Sequence, residues 1–287
     1  MSIFELTTCV ELGLIFGIVA IGIYLTFRVI DFPDLTCDGS FVLGAATAGV
    51  LLKAGVAPWL AMLIATTSGA LAGIGTGILH VYFKMTNLLA SILMAFMLYS
   101  INLKVMQNIP NIALIDNVTI FSKANPLLVL IIVTVLCAGI IGFLLLTDIG
   151  LGIRSVGQNQ RLAQNCGVSI SKMTLITLAI SNGLIALSGA LFSQHQGFAD
   201  ISQGVGTIII GLAAVMIGEK IMPARNIWYA ITACIMGSII YRIVVASALH
   251  SDWLGLQTQD LNLITGMMVI AIMLLPKMRK RKINATT

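Results

Sequence analysis

Charged residues are scarce in this sequence: they occupy 9% of its 287 positions, whereas a typical soluble domain has about 25%. A soluble fold needs a charged shell around its core, and this chain cannot supply one. Hydrophobic residues reach 58%, with a mean hydropathy of +1.02. The composition therefore excludes a water-soluble enzyme and predicts a protein that crosses a membrane several times.

The net charge of +5 does not indicate a nucleic-acid-binding surface. Lys and Arg lie between the apolar segments and near the C-terminus, where basic residues orient a protein in a membrane. We expect a lipid membrane, and no nucleic acid, as the partner of these charges.

Patterns that form disulfides or bind metals are also missing. The cysteines include no Cys-x-x-Cys pair, and the histidines show no spacing typical of metal ligands. We interpret the cysteines as small packing residues and the histidines as polar groups at helix ends, and we predict no metal site. The cysteines are Cys9, Cys37, Cys137, Cys166 and Cys234, and the histidines are His80, His195 and His250.

No Gly-x-x-x-x-Gly-Lys-Ser/Thr loop occurs, so the chain lacks that means of holding ATP phosphates. His-Glu-x-x-His and Gly-x-Ser-x-Gly are missing as well. We therefore expect no catalysis by this chain. One enzymatic alternative is a lipid-modifying membrane enzyme in which Asp31, Asp34 and Asp38 bind a metal, although loop caps around Pro33 explain these acids equally well.

Hydrophobic segments recur along the whole chain. Taking about 20 apolar residues as one crossing, we predict about nine crossings, with eight or ten as alternatives. We expect the shorter segments to be tilted or broken helices shielded by neighbouring protein. The fold class is thus an all-α, polytopic membrane protein, with residues 1–287 forming one transmembrane domain. The longer segments lie near 10–28, 57–81, 126–147, 173–193 and 226–247, and the shorter ones near 40–52, 87–102, 207–218 and 261–276.

Basic residues fall mainly on one side of these crossings. With the C-terminus in the cytoplasm, twelve Lys and Arg residues lie on the cytoplasmic side and three on the other. The positive-inside rule then places the N-terminus outside and the basic tail 277–287 inside. No basic residue precedes Arg28, so we also expect no cleaved signal peptide. The cytoplasmic set is Arg28, Lys84, Arg154, Arg161, Lys172, Lys220, Arg225, Lys277, Arg279, Lys280, Arg281 and Lys282, and the outer set is Lys53, Lys104 and Lys123.

The longest predicted cytoplasmic connection, residues 148–172, contains a candidate docking segment. Residues 158–166 are compatible with one short helix, and Gly167 stands where a left-handed helix cap is common. Leu162 and Cys166 then share a face. We predict that this short helix at 158–166 docks onto a partner protein, with a solvated connector as the alternative.

Two polar segments, residues 31–40 and 194–204, interrupt the hydrophobic pattern. Each leads into a short span rich in Gly and Ala, and the predicted topology puts them on opposite sides of the membrane, as in an inverted repeat. Broken helices are tolerated where they line a cavity, so we expect both segments to border a translocation path. The candidate path residues are Asp34, Thr36, Asp38, Ser40, Asn182, Phe198, Asp200 and Gly204.

Small residues predict where helices approach each other closely. Gly69, Gly73 and Gly77 are spaced four apart and so lie on nearly one helix face, which favours a packing seam; a pore-lining groove is the alternative. Asn182 lies inside a predicted span, where lipid would penalise its amide. We expect it to form a hydrogen bond between helices, with substrate contact as the alternative.

Ionisable side chains are nearly absent from the predicted spans. Arg242 is the exception; it lies toward the outer end of its span, where it could reach the headgroups or pair with Asp252. Transport coupled to an ion usually requires charged groups at mid-membrane. We therefore expect an external source of energy, and keep an ion-coupled secondary transporter as the alternative.

Several blocks resemble the integral permease subunits of bacterial ABC importers. The loop Gly152-Ile-Arg-Ser-Val-Gly-Gln-Asn159 resembles their cytoplasmic signature. The blocks Asp31-Phe-Pro-Asp-Leu-Thr36 and Gly197-Phe-Ala-Asp200 are similar to the branch of branched-chain amino acid and ribose permeases, and within it to permeases labelled as tryptophan/tyrosine transporters. The resemblance covers most of residues 12–276.

This resemblance implies a non-catalytic subunit that moves a small solute, an amino acid, by alternating access across the bacterial inner membrane. The implied partners are a second permease subunit in a homodimer, a cytoplasmic ABC ATPase dimer, and an external substrate-binding protein or lipoprotein. No cofactor is expected in this chain, because ATP and Mg would bind the ATPase. The implied ATPase-coupling residues are Arg154, Asn159, Arg161, Leu162, Ala163 and Gly167, which places the coupling helix at 158–168.

Overall fold

The computed structural model describes residues 3–115, 117–122, 124–222, 226–249, 266–267 and 270. Most of the predicted span 261–276, the basic tail 277–287 and Asp252 lie outside these residues. The helices are α1 (Ile3–Ile23), α2 (Thr36–Lys53), α3 (Pro58–Val81), α4 (Asn87–Val105), α5 (Pro126–Leu146), α6 (Asp148–Gln158), α7 (Gln160–Asn165), α8 (Ile170–Gln196), α9 (Thr207–Ile221) and α10 (Ile227–Leu249), and the strands are β1 (Asn111–Ala113) and β2 (Phe198–Asp200).

The prediction of a helical membrane fold is confirmed at this level of detail. Six helices among the described residues are long and apolar enough to cross a bilayer: α1 with its extension, α3, α4, α5, α8 and α10. Helices α2 and α9 are shorter, with 18 and 15 residues. The count of nine crossings and the orientation stay predictions, and "inner" and "outer" below refer to that predicted orientation.

Helix α1 does not end as a regular α-helix. It continues as a π-helix over Tyr24–Val29, a wider turn that is common at functional sites. Asp31 then takes a left-handed conformation with φ of 54°, and the Phe32 amide bonds back to the Thr26 carbonyl at 2.8 Å. The chain thus reverses inside the protein, and α2 begins at Thr36.

Helix α8 ends differently, at a left-handed glycine. Gly197 has φ of 77° and donates its amide to the Ser193 carbonyl at 3.0 Å. Strand β2 follows and pairs antiparallel with β1, which ties the segment after α4 to the segment after α8. An irregular stretch then leads to Gly206, also left-handed, where α9 begins.

The two irregular segments are built alike. After α1, the Asp34 carboxylate accepts the Thr36 amide at 2.9 Å; after α8, the Asp200 carboxylate accepts the Ser202 amide at 2.8 Å. The surrounding sequences, Phe32-Pro-Asp-Leu-Thr36 and Phe198-Ala-Asp-Ile-Ser202, share the pattern Phe-x-Asp-x-Thr/Ser. The same aspartate turn therefore follows α1 and α8, as expected if these two helices occupy equivalent positions in the predicted repeat.

The helices before and after the two irregular segments also pack against each other in corresponding pairs. Ser188 donates to the Ile15 carbonyl and Ser181 to the Gly22 carbonyl, both at 2.8 Å, so α1 and α8 run antiparallel and their following segments lie at opposite ends. Helix α3 packs on α8 as α10 packs on α1, and α2 packs on α3 as α9 packs on α10. The arrangement supports an inverted repeat that relates α1–α3 to α8–α10.

The predicted glycine seam lies between α3 and α8. A Cβ atom at Gly69 would lie 2.5 Å from the Asn182 carbonyl oxygen, one at Gly73 would lie 2.1 Å from the Leu178 carbonyl oxygen, and one at Gly77 would meet the Leu175 side chain at 2.5 Å. At Gly69 and Gly73 the obstacle is backbone, so only glycine lets the two helix backbones touch there, as the packing-seam interpretation expects; at Gly77 it is the end of a leucine side chain, which can move.

Candidate functional site

A buried polar cluster joins α2, α8 and the segment before α2. Asn182 lies near the middle of α8 and donates to a carboxylate oxygen of Asp34 at 2.7 Å and to the Leu178 carbonyl at 3.0 Å. Its amide oxygen accepts from the Ser40 hydroxyl at 2.6 Å. Asp34, Ser40 and Asn182 are each 0% exposed. The Asn182 hydrogen bond to other helices was predicted; its carboxylate partner was not.

A second buried contact joins α2 to α3. The hydroxyl groups of Thr36 and Thr76 are 2.8 Å apart, and both residues are 0% exposed. Farther along α2, Asn102 of α4 donates to the Gly39 carbonyl at 3.1 Å. The start of α2 is therefore held by polar side chains on three sides, so its position is closely determined.

Asp38 has a different function from Asp34, because its carboxylate caps α9. One oxygen accepts the Ile208 amide at 2.9 Å and the other accepts the Gly206 amide at 3.2 Å. These amides have no partner within their own helix, and a negative charge is favourable at a helix N-terminus. Gly204 lies against the Asp38 carbonyl, where a Cβ atom would approach to 2.3 Å. A side chain of the first repeat thus caps the N-terminus of α9 in the second repeat.

Phe198 and Asp200 lie on the outer side, away from this cluster. Phe198 is 37% exposed, and Asp200 accepts from the Asn111 side chain of β1 at 2.8 Å and from the Ser202 hydroxyl. Partial burial alone would raise the pKa of the Asp200 carboxyl, but the hydrogen bonds from Ser202 and Asn111 outweigh it and the pKa is lowered. The charged form of Asp200 therefore stabilises the pairing of β1 with β2 on the outer side.

The eight candidate path residues consequently form two groups. Asp34, Thr36, Ser40 and Asn182 lie in the buried cluster, with Asp38 and Gly204 beside it at the start of α9, whereas Phe198 and Asp200 lie at the outer sheet. Their role in lining a path stays a prediction. The three acids proposed as metal ligands do not converge, and no group of metal-binding residues is present among the described residues.

The connection that the sequence predicts to be cytoplasmic contains two helices where one was predicted. Helix α6 (Asp148–Gln158) ends at Asn159, whose backbone is extended, and α7 covers only Gln160–Asn165. The predicted segment 158–168 therefore begins inside α6. Asn159 is the N-cap of α7, because its side chain accepts the Leu162 amide at 3.1 Å. Gly167 has φ of 81°, the left-handed conformation expected there.

The side chains of α7 point in two directions. Leu162 is 63% exposed and lies beside exposed Arg161, whereas Ala163 is 1% exposed and so faces the protein's own interior. Arg154 of α6 is partly buried. Of the six predicted coupling residues, Asn159, Arg161, Leu162 and Gly167 are exposed, so a partner could touch them. Asn159 also caps the helix, whereas Ala163 faces inward and fixes how the helix packs.

Helix α6 connects α7 to the irregular segment after α1. Ile153 packs with Ile30, Phe32 and Leu178 in one apolar cluster. A Cβ atom at Gly157 would lie 1.7 Å from the Val29 carbonyl oxygen, so only glycine allows this contact. A displacement of α6 would thus reach the segment that carries Asp34.

Two further ionic contacts were not predicted. Arg28, in the π-helix, donates through both Nε and a terminal nitrogen to the two carboxylate oxygens of Glu219 in α9, with the Nε bond at 2.6 Å. At the outer side, the Glu11 carboxylate lies 2.8 Å from His195 Nε2. The residues in each pair are far apart in sequence, so no local pattern indicates them.

Arg242 turns inward and does not reach toward the headgroups. Its guanidinium carbon lies 4.1 Å from the centroid of the Phe16 ring, a cation–π contact. The interpretation of a snorkelling side chain was wrong, because an aromatic face within the protein takes the charge. The proposed partner Asp252 lies outside the described residues.

Residues 6–275 match the protein family described as "Branched-chain amino acid transport system / permease component". The chain belongs to this permease family. One relative, a tyrosine transport system permease protein of Clostridioides difficile, is 38% identical over 91% of this chain and 88% of its own length. Another, the fructose import permease protein FruG of Bifidobacterium longum, is 26% identical over 85% of this chain and 74% of its own.

A solved structure supports the fold of the permease. It is described as a metal-chelate type ABC transporter in an inward-facing conformation. The match has a TM-score of 0.51 and 17% identity, and covers 94% of this chain and 83% of that one. The permease is therefore a membrane-embedded subunit of the ABC transporter class, which works with other permease subunits and a separate ATPase.

Proposed function

We propose that this permease imports an amino acid across the bacterial inner membrane by alternating access, powered by a cytoplasmic ATPase dimer. Two copies of the chain form the membrane part, and an external substrate-binding protein or lipoprotein delivers the solute. ATP and Mg bind the ATPase, and this chain carries no cofactor of its own.

The observation that carries the proposal is the physical connection from α7 to the buried polar cluster. Leu162 is exposed for docking, α6 directly precedes α7 in the chain, and Gly157 of α6 contacts the Val29 carbonyl ahead of Asp34. A rigid helix that touches both a docking surface and a broken helix can transmit motion between them. This connection supports a permease that is moved from inside the cell.

The choice of an amino acid rests on the tyrosine permease relative. The fructose permease relative shows that members of this family differ in solute, and it is more distant from this chain at 26% identity. We therefore choose L-tyrosine as the first solute to test, then L-tryptophan and fructose.

The test is uptake of radiolabelled L-tyrosine by proteoliposomes that hold the permease, its ATPase and its binding protein. In the variant Leu162→Glu, a charge replaces the most exposed apolar side chain of α7, so the ATPase should not dock and uptake should fall to background. Gln164→Glu is the matched control, because it adds the same charge to an exposed position of the same helix. Equal, full uptake by both variants would contradict docking through Leu162.

Ala163→Glu separates docking from folding. Because Ala163 is 1% exposed, a glutamate there has to enter the interior, so this variant should lose thermal stability as well as uptake. Leu162→Glu should retain stability. If the two variants unfold at the same temperature as the native chain, the burial of Ala163 has no energetic consequence and the interpretation of α7 is wrong.

One observation favours the ion-coupled alternative, because Asp34 is a carboxylate placed beside the middle of a spanning helix. Its hydrogen bonds to Thr36 and Asn182 explain it as a structural group. An ionophore that collapses proton and sodium gradients distinguishes the two: uptake should continue while ATP lasts. Uptake that stops with the gradient and ignores ATP would support the secondary transporter.

A further inference from the structure

Helix α9 is attached by polar side chains at both of its ends, and both attachments come from the other repeat. At its N-terminus, the Asp38 carboxylate of α2 accepts the Gly206 and Ile208 amides. Near its C-terminus, Glu219 pairs with Arg28 of the π-helix. Between these points α9 packs on α10 through glycines, since a Cβ atom at Gly218 would lie 2.0 Å from the Ala233 carbonyl oxygen.

The two attachments differ in their exposure to water. The Arg28 side chain is 59% exposed and that of Glu219 is 24% exposed. An exposed ion pair contributes little net stability, because water solvates both charges when the pair opens. The Asp38 carboxylate satisfies two backbone amides that have no other partner within their helix, so its release leaves polar groups unpaired. The inner end of α9 is therefore easier to release than the end held by Asp38.

Arg28 stands on the element best placed to move. The π-helix Tyr24–Val29 has a wider turn than α1, and its last carbonyl touches Gly157 of α6. Because Gly157 lies directly against the Val29 carbonyl, α6 cannot move toward the π-helix without displacing Val29. Because Arg28 directly precedes Val29, the same displacement changes its distance from Glu219.

We propose that Arg28 and Glu219 form a releasable latch between the two repeats on the inner side, and that Asp38 acts as the hinge at the opposite end of α9. The latch holds α9 against α1 until α6 moves Val29, and its opening lets α9 and α10 swing together. Arg28 and Glu219 are positioning residues: they set when the inner side opens. This inference rests on the proposed function, because it assigns a trigger to the same ATP-driven cycle.

The first experiment measures coupling in the complete transporter. Arg28→Gln and Glu219→Gln each remove one charge, and Lys172→Gln is the matched control because it removes an exposed inner charge outside the latch. Loss of an exposed pair shifts an equilibrium by about two- to fivefold. We expect each latch variant to move about two- to fivefold less L-tyrosine per ATP hydrolysed, while ATP hydrolysis itself continues.

Charge reversal tests whether the pair acts as a pair. In the double variant Arg28→Glu/Glu219→Arg the attraction is restored with opposite polarity, so coupling should recover to within about twofold of the native value. A double variant no better than the single ones would overturn the latch. Normal coupling in both single variants would overturn it as well.

The second experiment needs no solute. The variants Arg28→Cys and Glu219→Cys, combined with Cys166→Ser to remove the exposed native thiol, replace the ion pair by two thiols whose cross-linking by a short bifunctional reagent reports how close positions 28 and 219 are in the transporter with its ATPase. We expect rapid cross-linking without nucleotide and at least about fivefold slower cross-linking when the ATPase is trapped with vanadate. Equal rates in both states would show that positions 28 and 219 do not separate during the cycle and would overturn the inference.

The two proposals fail in different ways. If the native transporter shows no ATP-dependent uptake of any tested solute, the proposed function fails. If native uptake is normal but the latch variants couple normally and cross-link equally in both states, only the latch fails.

Discussion

Replacement of Asn182 by alanine tests the buried cluster that joins the two repeats. The side chain donates to Asp34 and accepts from Ser40, and all three residues are 0% exposed. Removal of the Asn182 amide leaves one Asp34 oxygen and the Ser40 hydroxyl without these hydrogen-bond partners at a fully buried position. Each orphaned group costs about 1–3 kcal/mol, so Asn182→Ala should lower the free energy of unfolding by about 2–6 kcal/mol.

The assay is unfolding of the purified permease in mild detergent, followed by helical circular dichroism as SDS is added. Ser193→Ala is the matched control, since it removes a buried hydroxyl of α8 whose one hydrogen bond among the described residues goes to the Ala190 carbonyl of the same helix. We expect that variant to lose less than about 1.5 kcal/mol.

An exchange of the two side chains isolates their interaction. In Asp34→Asn/Asn182→Asp, the new amide can donate to the new carboxylate, which can still accept from Ser40. The double variant should therefore be more stable than either single variant by at least about 1 kcal/mol. A loss below about 0.5 kcal/mol for Asn182→Ala, or a double variant with the summed losses of the single ones, would refute the cluster as a stabilising contact.

Two further predictions concern packing and pH. Gly73→Ala should destabilise the permease by about 1–3 kcal/mol, because its Cβ atom would lie 2.1 Å from the Leu178 carbonyl oxygen, whereas Gly139→Ala meets nothing within 4 Å and should be neutral or stabilising; equal melting temperatures would contradict the seam. The lowered pKa of Asp200 means that its charged form stabilises the β1–β2 sheet above the ordinary aspartate pKa and that this contribution is lost as pH falls through the lowered value. Asp200→Asn should therefore speed hydrogen exchange of the Ile112 amide at neutral pH, and this effect of the substitution should shrink steadily as the pH is lowered below the ordinary aspartate pKa; an effect independent of pH would count against this cause.

Local patterns in the sequence predicted much of this structure. The apolar segments located the long helices, four-residue glycine spacing located the packing face of α3 but not its partner α8, and Gly167 located the end of α7. These features depend on neighbours in the sequence. The repeated Phe-x-Asp-x-Thr/Ser pattern around Asp34 and Asp200 was also present and would have strengthened the case for a repeat.

The missed features all depend on distant residues. Asp34 pairs with Asn182 across 148 positions and Arg28 with Glu219 across 191, so no window of sequence contains both partners. Helix α6 was missed for a related reason. Its glycines disfavour a helix, yet Gly157 is required by a contact with Val29, 128 positions earlier, that exists only in the folded chain.

The capping of α9 by Asp38 has a consequence for how the chain enters the membrane during synthesis. Helix α9 has 15 residues and its first amides are satisfied by a carboxylate that is translated about 170 residues earlier. A segment this short, preceded by irregular backbone, is poorly suited to leave the translocon for lipid alone. It has to be retained until α2 is in place to receive it, so a ribosome-bound chain whose α2 is scrambled should expose this segment to quality-control proteases while its longer helices are already inserted.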